Sequence, residues 1–280
     1  MNDVATALMA AKPLIDKLDA QYLLCHILQV SRASLIAHAE RILTAEQSAL
    51  FTAQLAARRR GVPVAQIIGK REFYGRDFYI NAHVLIPRPE TELLVTLALA
   101  SVSSNKWLEK SANASVCDLG TGSGAIAITL ALESPSSIVT AIDQSHEAIA
   151  VAKKNAANLN ADVRFVMSDW YHALAGQQFN IIVANPPYIA KDDPHLLMGD
   201  LRFEPTFALT DNSDDGLGAI RTIIINAPRH LTPGGRLLIE HGFDQAERAR
   251  AIFTSAGFTD VESTNDLAGI ARVTLGTFAD

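Results

Sequence analysis

The residues best suited to chemistry form a rigid polar corner directly after the apolar run at 179–184. The corner consists of Asn185, Pro186, Pro187 and Tyr188. Two adjacent prolines fix φ and exclude the helical region for the preceding residue, so a strand predicted at 179–184 ends in a stiff, extended turn. The carbonyl oxygens and the Asn185 amide suit a planar molecule with an NH₂ group, whose flat face Tyr188 would cover. The alternative interpretation is a strand followed by a purely structural turn.

A glycine-rich loop is the second candidate site. It consists of Gly120, Thr121, Gly122, Ser123 and Gly124, between a predicted strand at 115–118 and a predicted helix at 124–133. Glycines allow a tight turn and a close approach of the backbone to a ligand. Because Ala125 follows, the loop also fits the dinucleotide pattern G-x-G-x-x-A, and Asp143 at the end of the next predicted strand suits a ribose diol in either case. A turn that only packs a helix on a strand is the structural alternative.

The residues after the third predicted strand bear on the choice of cofactor. Asp169 and Trp170 follow the strand predicted at 163–167. The indole offers a stacking face for an adenine ring and Asp169 an acceptor for its amino group, although a Trp here also suits the core. Dinucleotide enzymes do not need the corner at Asn185, whereas methyl transfer from S-adenosylmethionine to a planar nitrogen uses it. These residues therefore favour S-adenosylmethionine over a dinucleotide in part.

Alternating strands and helices position these residues. Strands are predicted at 115–118, 138–143, 163–167, 179–184 and 236–240, and helices at 124–133, 145–159, 216–231 and 244–256. Repeated βα units predict a parallel sheet with helices on both faces, in which ligands bind beyond the carboxyl ends of the strands. Those ends carry Asp118, Asp143, Asp169 and Asn185. Two final strands, near 258–263 and 270–275, have no helix between them and predict an antiparallel pair.

The residues before this sheet are predicted to form two smaller parts. We expect a helical N-terminal domain at 1–72, a connecting β-hairpin at 73–88 and the catalytic domain at 89–280, with a surface connection at 101–115. The predicted fold class is α/β: a Rossmann-like, mostly parallel methyltransferase sheet with an antiparallel C-terminal strand, a small helical domain and a hairpin.

Composition excludes several classes of protein. The chain has 280 residues, 49% of them hydrophobic and 19% charged, as is typical of a well-cored globular protein. A formal net charge of −6 differs from the basic footprint of proteins that bind duplex DNA. Two cysteines, Cys25 and Cys117, support neither a disulfide framework nor a zinc site, so we expect no metal. With no signal-peptide pattern and no apolar stretch that spans a bilayer, a cytoplasmic protein is expected.

Several motifs together resemble one known family. The segment 118–124 with Asp143 resembles the S-adenosylmethionine-binding motif of Rossmann-like methyltransferases, and residues 185–188 resemble the corner of those that methylate planar nitrogens. Three further segments narrow the resemblance: Pro-Arg-Pro-Glu-Thr-Glu at 87–92, Glu-Pro-Thr-Phe-Ala-Leu at 204–209 and Asp-Gly-Leu at 215–217. With them, the whole chain resembles the bacterial release factor glutamine methyltransferases, the HemK or PrmC family.

The resemblance implies both a reaction and a set of site residues. A methyl group would pass from S-adenosylmethionine, leaving S-adenosylhomocysteine, to the glutamine amide nitrogen in the Gly-Gly-Gln loop of class 1 peptide release factors. Residues 120–124, Asp143, Trp170 and Asn185 would hold the cofactor, and residues 185–188 the glutamine, with Asn185, Pro186 and Tyr188 as catalytic residues. The N-terminal helices would help to dock the release factor. We expect a monomer with no stable nucleic-acid or membrane partner.

Two other functions stay open from the residues alone. An adenine-amino methyltransferase acting on DNA or RNA would use the same corner on a flipped base, although the acidic net charge opposes it. A cofactor-sensing or translation-associated binding protein would use the glycine loop but would have no need of the corner. The roles of Arg88, Glu90, Glu92 and Glu204 are also open. His241, after the fifth strand, is the nearest candidate for a general base.

Overall fold

The computed structural model describes residues 3–103 and 113–279. The chain forms two compact units, Met1–Lys70 and Arg71–Asp280. Most of the surface connection expected at 101–115 lies outside the described residues, and its first three residues belong to a helix that ends at Ser103. The three-part division with boundaries at 72 and 88 stays a prediction.

The first unit is helical, as its apolar spacing predicts. Its helices are α1 (Val4–Ala11), α2 (Lys17–Leu28), α3 (Arg32–Ala37), α4 (Ala45–Arg59) and α5 (Val64–Ile68). Four of them begin at a side chain that accepts a backbone N–H of the first turn: Asp3, Asp16, Ser31 and Thr44. Their apolar faces enclose a core of Ala, Val, Leu and Phe side chains.

A hairpin is present, but it lies at residues 70–79 and so overlaps only the first part of the segment predicted at 73–88. Its strands are β1 (Lys70–Phe73) and β2 (Arg76–Tyr79), which form a two-stranded sheet. Tyr74 and Gly75 connect them with φ of +51° and +75°, the positive values that a two-residue type I′ turn requires. β1 begins before the predicted limit at 73 because its first three side chains are exposed and charged, and so show no apolar alternation.

A seven-stranded sheet forms the centre of the second unit. Its strands are β3 (Ser115–Leu119), β4 (Ile138–Asp143), β5 (Arg164–Met167), β6 (Phe179–Ala184), β7 (Leu231–Glu240), β8 (Phe258–Asn265) and β9 (Ala271–Phe278). They lie in the order β5-β4-β3-β6-β7-β9-β8. The first five pair in parallel, whereas β9 runs antiparallel to both β7 and β8. The predicted fold class is confirmed.

The helices of this unit pack their apolar residues with the buried strands. They are α6 (Glu92–Ser103), α7 (Ala125–Glu133), α8 (His146–Leu159), α9 (Gly218–Asn226) and α10 (Ala246–Ser255). The helix predicted at 216–231 is divided into α9 and a 3₁₀ turn at Ala227–His230, because Pro228 has no N–H to continue an α-helix. None of the helices in the described residues has the length and apolar composition to cross a bilayer.

The strand order places the candidate site beside β3. This strand pairs with β4 on one side and with β6 on the other, so the loops after β3 and β6 lie at the switch point of the sheet. Asp143 ends β4 and Asn185 directly follows β6, as predicted. The structure corrects the expectation for Asp118, which lies inside β3 and is completely buried instead of standing at the strand end.

Candidate active site

A cleft of about 640 Å³ opens beyond the carboxyl ends of the parallel strands, and we call it the glycine-loop cleft. Five of the predicted cofactor residues line it: Gly120, Gly122, Asp143, Trp170 and Asn185. Loops from four different strands thus converge on one concavity, as the predicted sheet requires.

Backbone hydrogen bonds fix the glycine loop to the end of β4. The Gly120 and Thr121 N–H groups both donate to the Ile142 carbonyl oxygen at 2.8 Å. Asp143 Oδ2 accepts from the Gly122 N–H at 2.9 Å, and Asp143 Oδ1 accepts from the Ser145 N–H at 2.9 Å. Burial raises the pKa of the Asp143 carboxyl, although these N–H donors oppose the shift. A carboxylate has about four acceptor positions, so Asp143 can still accept a hydroxyl group from a ligand.

The loop residues divide into two groups by what surrounds them. A Cβ on Gly122, where φ is +54°, would meet nothing within 4 Å, so this backbone borders open space. A Cβ on Gly124 would lie 3.1 Å from the Cβ of Ala152, so that glycine allows α8 to pack closely on the loop. Thr121 and Ser123 are buried, and Thr121 donates to Asp118 Oδ2 at 2.7 Å. The backbone at Gly120 and Gly122 therefore faces the cleft, while the other three residues support it.

Trp170 forms part of the cleft wall next to the loop. A Cβ on Gly120 would lie 3.5 Å from the indole, so the ring lies close to the glycine backbone. Trp170 has a φ of +44°, a left-handed conformation that is unfavourable for a bulky residue and is concentrated at functional sites. Asp169 also lines the cleft, but its side chain is exposed.

A second cavity of about 340 Å³ lies next to the cleft, and we call it the corner pocket. Asn185 and Pro186 line both cavities, whereas Tyr188 lines only the corner pocket and Pro187 only the cleft. The corner predicted from the sequence is therefore the boundary between two concavities. A ligand in each would meet the other at Asn185 and Pro186.

Hydrogen bonds orient the polar groups of the corner. Asn185 Nδ2 donates to Thr91 Oγ1 at 3.0 Å, and none of the described residues donates to Asn185 Oδ1. The Tyr188 hydroxyl donates to Glu240 Oε1 at 3.5 Å. Burial raises the pKa of Tyr188, and the nearby Glu240 carboxyl raises it further, so the phenol stays neutral. The open acceptor at the corner is the Asn185 side-chain oxygen.

An ion pair links the two segments that border the corner pocket. Arg88 Nη2 lies 2.5 Å from Glu204 Oε1, and the Ile86 N–H donates to Glu204 Oε2 at 2.9 Å. The Glu204 side chain is completely buried, so removing either partner would leave an uncompensated group. Glu92 has a different role, because its Oε1 accepts from the Tyr74 N–H of the hairpin turn at 2.8 Å.

Gln245 was missed by the sequence interpretation. Its buried side chain donates from Nε2 to the carbonyl oxygens of Tyr188 and Asp215, at 3.0 and 3.3 Å, while its Oε1 accepts from the Gly242 N–H at 2.8 Å. A Cβ on Gly216 would overlap the Tyr188 carbonyl oxygen. The Asp-Gly-Leu segment was noted as a motif, but nothing local links it to Gln245.

Asn155 was also missed. This fully buried residue of α8 donates from Nδ2 to the Ser123 carbonyl oxygen at 2.9 Å and to the Tyr79 carbonyl oxygen at 3.0 Å. Its Oδ1 accepts from the Tyr79 N–H at 2.7 Å, so it ties the hairpin to the glycine loop. The available signal was one amide among the apolar positions of an amphipathic helix.

His241 does not serve as a base at this site. Its ring is completely buried, with Nε2 2.8 Å from Thr274 Oγ1 and Nδ1 3.0 Å from the Gly242 carbonyl oxygen. Burial lowers the pKa of this imidazole, so the neutral form is favoured. It lines neither of the two cavities. The structure therefore assigns it to the packing between β7 and β9.

Comparisons with family models match parts of both units. Residues 1–69 match the family described as the PrmC N-terminal domain, and residues 100–200 match the methyltransferase small domain. A methyltransferase from Pyrococcus furiosus has a similar fold, with a TM-score of 0.54 at 15% identity, covering 85% of this chain and all of that one.

Full-length relatives give a closer relationship. A release factor glutamine methyltransferase of Burkholderia pseudomallei is 50% identical, covering 97% of this chain and 95% of its own. The protein of the same name from Escherichia coli is 43% identical, covering 93% of this chain and 91% of its own. Because this identity extends through both units, the chain belongs to the release factor glutamine methyltransferase family.

Proposed function

We propose that this chain transfers the methyl group of S-adenosylmethionine to the side-chain amide nitrogen of the glutamine in the Gly-Gly-Gln motif of class 1 peptide release factors. The observation that carries the proposal is the orientation of Asn185. Its nitrogen is held by Thr91, and its open oxygen belongs to a corner that lines two adjoining cavities. A primary amide with two hydrogens is the partner that such an acceptor fits. The names of the full-length relatives supply the substrate class.

The glycine-loop cleft fits S-adenosylmethionine. Open space above Gly122 would admit a ligand to the loop backbone, and Asp143 has acceptor capacity for a ribose diol. Trp170 offers an aromatic face, and the exposed Asp169 carboxylate an acceptor for an adenine amino group. When bound, the cofactor supplies an electrophilic methyl group attached to a sulfonium.

The substrate amide nitrogen is a weak nucleophile, and the corner residues compensate for this by orienting it. An amide lone pair is delocalised into its carbonyl group, so the nitrogen must be oriented closely. The Asn185 oxygen accepts one amide hydrogen, the Pro186 carbonyl accepts the other, and the Tyr188 ring packs on the amide plane. One face of the nitrogen then points toward the cleft. Orientation of this kind contributes up to ~7–11 kcal/mol to catalysis.

The same acceptors act on the charge that develops during transfer. The nitrogen becomes positive and strongly acidic as it gains the methyl group, and it then loses one proton to solvent. Fixed oxygen acceptors at Asn185 and Pro186 stabilise this positive charge in a partly buried site. A dedicated strong base is therefore not required, which agrees with the burial of His241 outside both cavities.

The remaining expectations about partners belong to the same proposal. The helical region at 1–72 would dock the release factor, with the hairpin at 73–88 as a connection and residues 89–280 as the catalytic domain. The enzyme would act as a cytoplasmic monomer without a stable nucleic-acid or membrane partner.

Mass analysis of a co-incubated release factor tests the proposal. We expect one added methyl group on the Gly-Gly-Gln glutamine, and no transfer to a release factor in which that glutamine is replaced by glutamate. Asn185→Ala should reduce the rate at least ~10³-fold through loss of orientation and charge stabilisation, with an unchanged melting temperature. Transfer of label to DNA or RNA, with none to the release factor, would favour the adenine-amino activity instead.

A further inference from the structure

A buried carboxyl group lies behind the corner and is not used by any step above. Glu240, the last residue of β7, is 1% exposed. Its Oε1 faces the Tyr188 hydroxyl at 3.5 Å, while its buried Oε2 has no hydrogen-bond partner among the described residues. Thr91 and Asn185, which are bonded to each other, both lower the pKa of this carboxyl group. Glu240 therefore lies beside both polar residues of the corner and the hydroxyl that holds Asn185.

This contact bears on which end of the Asn185 amide faces a ligand. The oxygen and nitrogen of an amide have nearly the same size, so its orientation is decided by hydrogen bonds and not by packing. An ionised carboxylate only accepts, and it therefore attracts the hydrogen of the Thr91 hydroxyl. The Thr91 oxygen is then left to accept from Asn185 Nδ2, as observed at 3.0 Å. With its nitrogen directed to Thr91, Asn185 presents its oxygen elsewhere.

We propose that Glu240 is a positioning residue for methyl transfer, which as a carboxylate orders Thr91 and the Asn185 amide so that Asn185 Oδ1 accepts from the substrate amide. This inference rests on the proposed function of the corner. Glu240 acts only through Thr91 and Asn185 and lines neither cavity.

The surroundings of Glu240 make its charge sensitive to pH. Burial raises its pKa to about 7, opposed by hydrogen bonding with Thr91 and by the positive charge of Arg272 on β9, while Glu90 raises the pKa further. Below this pH the group carries an O–H, which can donate to Thr91. The Thr91 hydroxyl can then donate to the Asn185 oxygen, and the amide can turn its nitrogen toward the ligand. The transfer rate should therefore rise with pH through about 7.

Glu240→Gln is the direct test, because glutamine keeps the shape and removes the charge. With a release factor as substrate and saturating S-adenosylmethionine, we expect kcat to fall about 10- to 100-fold, as misplacement of a reacting group does. The rise of log kcat between pH 6 and 8 should disappear, while cofactor affinity stays within about threefold because Glu240 does not line the cleft. A Glu240→Gln enzyme with the rate or the pH profile of the wild type would overturn the inference.

Two Thr91 variants keep the test decisive if Glu240→Gln does not fold. Thr91→Val preserves shape and removes the hydroxyl link, so it should lose activity and the pH dependence to the same extent. Thr91→Ser restores the hydroxyl and should recover at least about a third of the activity. Equal activity of the Val and Ser enzymes would overturn the inference even if the wild type methylates the release factor. A wild-type enzyme that transfers no methyl group to the release factor would instead refute the proposed function.

Discussion

The glycine-loop cleft and the corner pocket meet at Asn185 but are built in different ways. In the cleft, the glycine loop is a short continuous segment whose backbone bonds to residues at the end of the neighbouring strand. The corner is held by side chains distant in sequence: Thr91 is 94 positions from Asn185, and Gln245 is 57 positions from Tyr188. The shape of the glycine loop can thus be encoded locally, whereas the orientation of the corner depends on contacts between distant segments. Substitutions in one region should therefore change cofactor affinity, and substitutions in the other should change the transfer rate.

Among the substitutions that compare the two regions, Gly216→Ala should have the largest effect, and on the corner alone. A Cβ there would overlap the Tyr188 carbonyl oxygen, so the segment after the corner must shift. We expect kcat to fall about 100-fold, because small displacements of positioning groups are costly, with cofactor affinity nearly unchanged. Steady-state kinetics and calorimetric titration of the cofactor measure the two quantities.

Gly176→Ala is the matched control for this change. Gly176 has a φ of +74°, close to the +66° of Gly216, but a Cβ there meets nothing within 4 Å. Both variants should lose about 1–2 kcal/mol of stability from the left-handed backbone, and Gly216→Ala should lose more because of the overlap. Only Gly216→Ala should lose activity. Equal losses of cofactor affinity and kcat in Gly216→Ala would mean that the two regions form one unit.

Asp143→Ala should weaken the cleft and leave the corner intact. It removes the acceptor of the Gly122 N–H together with the carboxylate proposed to hold the ribose. A loss of roughly 1.5–3 kcal/mol is typical of hydrogen bonds to a charged group, which corresponds to about 10- to 100-fold in the dissociation constant of S-adenosylmethionine. Asp169→Ala, in an exposed side chain of the same cleft, should have a smaller effect. An unchanged affinity for Asp143→Ala would contradict the ribose assignment.

Gly122→Ala should give a smaller, purely steric effect on the cofactor. A methyl group there meets no protein atom within 4 Å, so it projects into open space at the loop. We expect about a tenfold loss of cofactor affinity. The loss of stability should be similar to that of Gly176→Ala, because in both variants the only destabilising factor is the positive φ of the backbone. Differential scanning calorimetry with and without cofactor measures both. An affinity equal to that of the wild type would place the ligand away from Gly122.

Asp118→Asn should have the smallest effect on the two cavities, and its effect on stability should appear as a change with pH. Burial raises the pKa of Asp118 from 3.8 to about 7, opposed by hydrogen bonding from Thr121. A carboxyl whose pKa is raised in the folded state contributes stability below its unfolded pKa and loses it as pH rises through the folded pKa. The stability of the wild type relative to Asp118→Asn should therefore decrease between pH 4 and 7, by at most ~1.4 kcal/mol per pH unit, and level off above. Urea unfolding at several pH values tests this, and a constant difference would contradict it.

Features set by neighbouring residues were predictable from the sequence, whereas features set by contacts between distant segments were not. The strands Ile138–Asp143 and Phe179–Ala184 were predicted with correct bounds, because each is an apolar run bounded by polar or turn-forming residues. The glycine loop and the corner were also recognisable, since their properties follow from local backbone chemistry. The bond from Asn185 to Thr91 was not predictable, because it depends on how two distant segments pack. Asp118 shows the converse error: a polar residue near a strand end was placed at the ligand site, but its hydrogen bond to Thr121 keeps it in the core.

The position of Trp170 has a practical consequence for following this enzyme in solution. The chain contains two tryptophans, Trp107 and Trp170, and the second has its indole in the wall of the glycine-loop cleft. An adenine ring stacked on that indole would change its fluorescence emission directly. Replacing Trp107 by phenylalanine would leave Trp170 as the sole emitter. Cofactor arrival could then be timed optically by stopped-flow mixing, independently of methyl transfer and without an added dye.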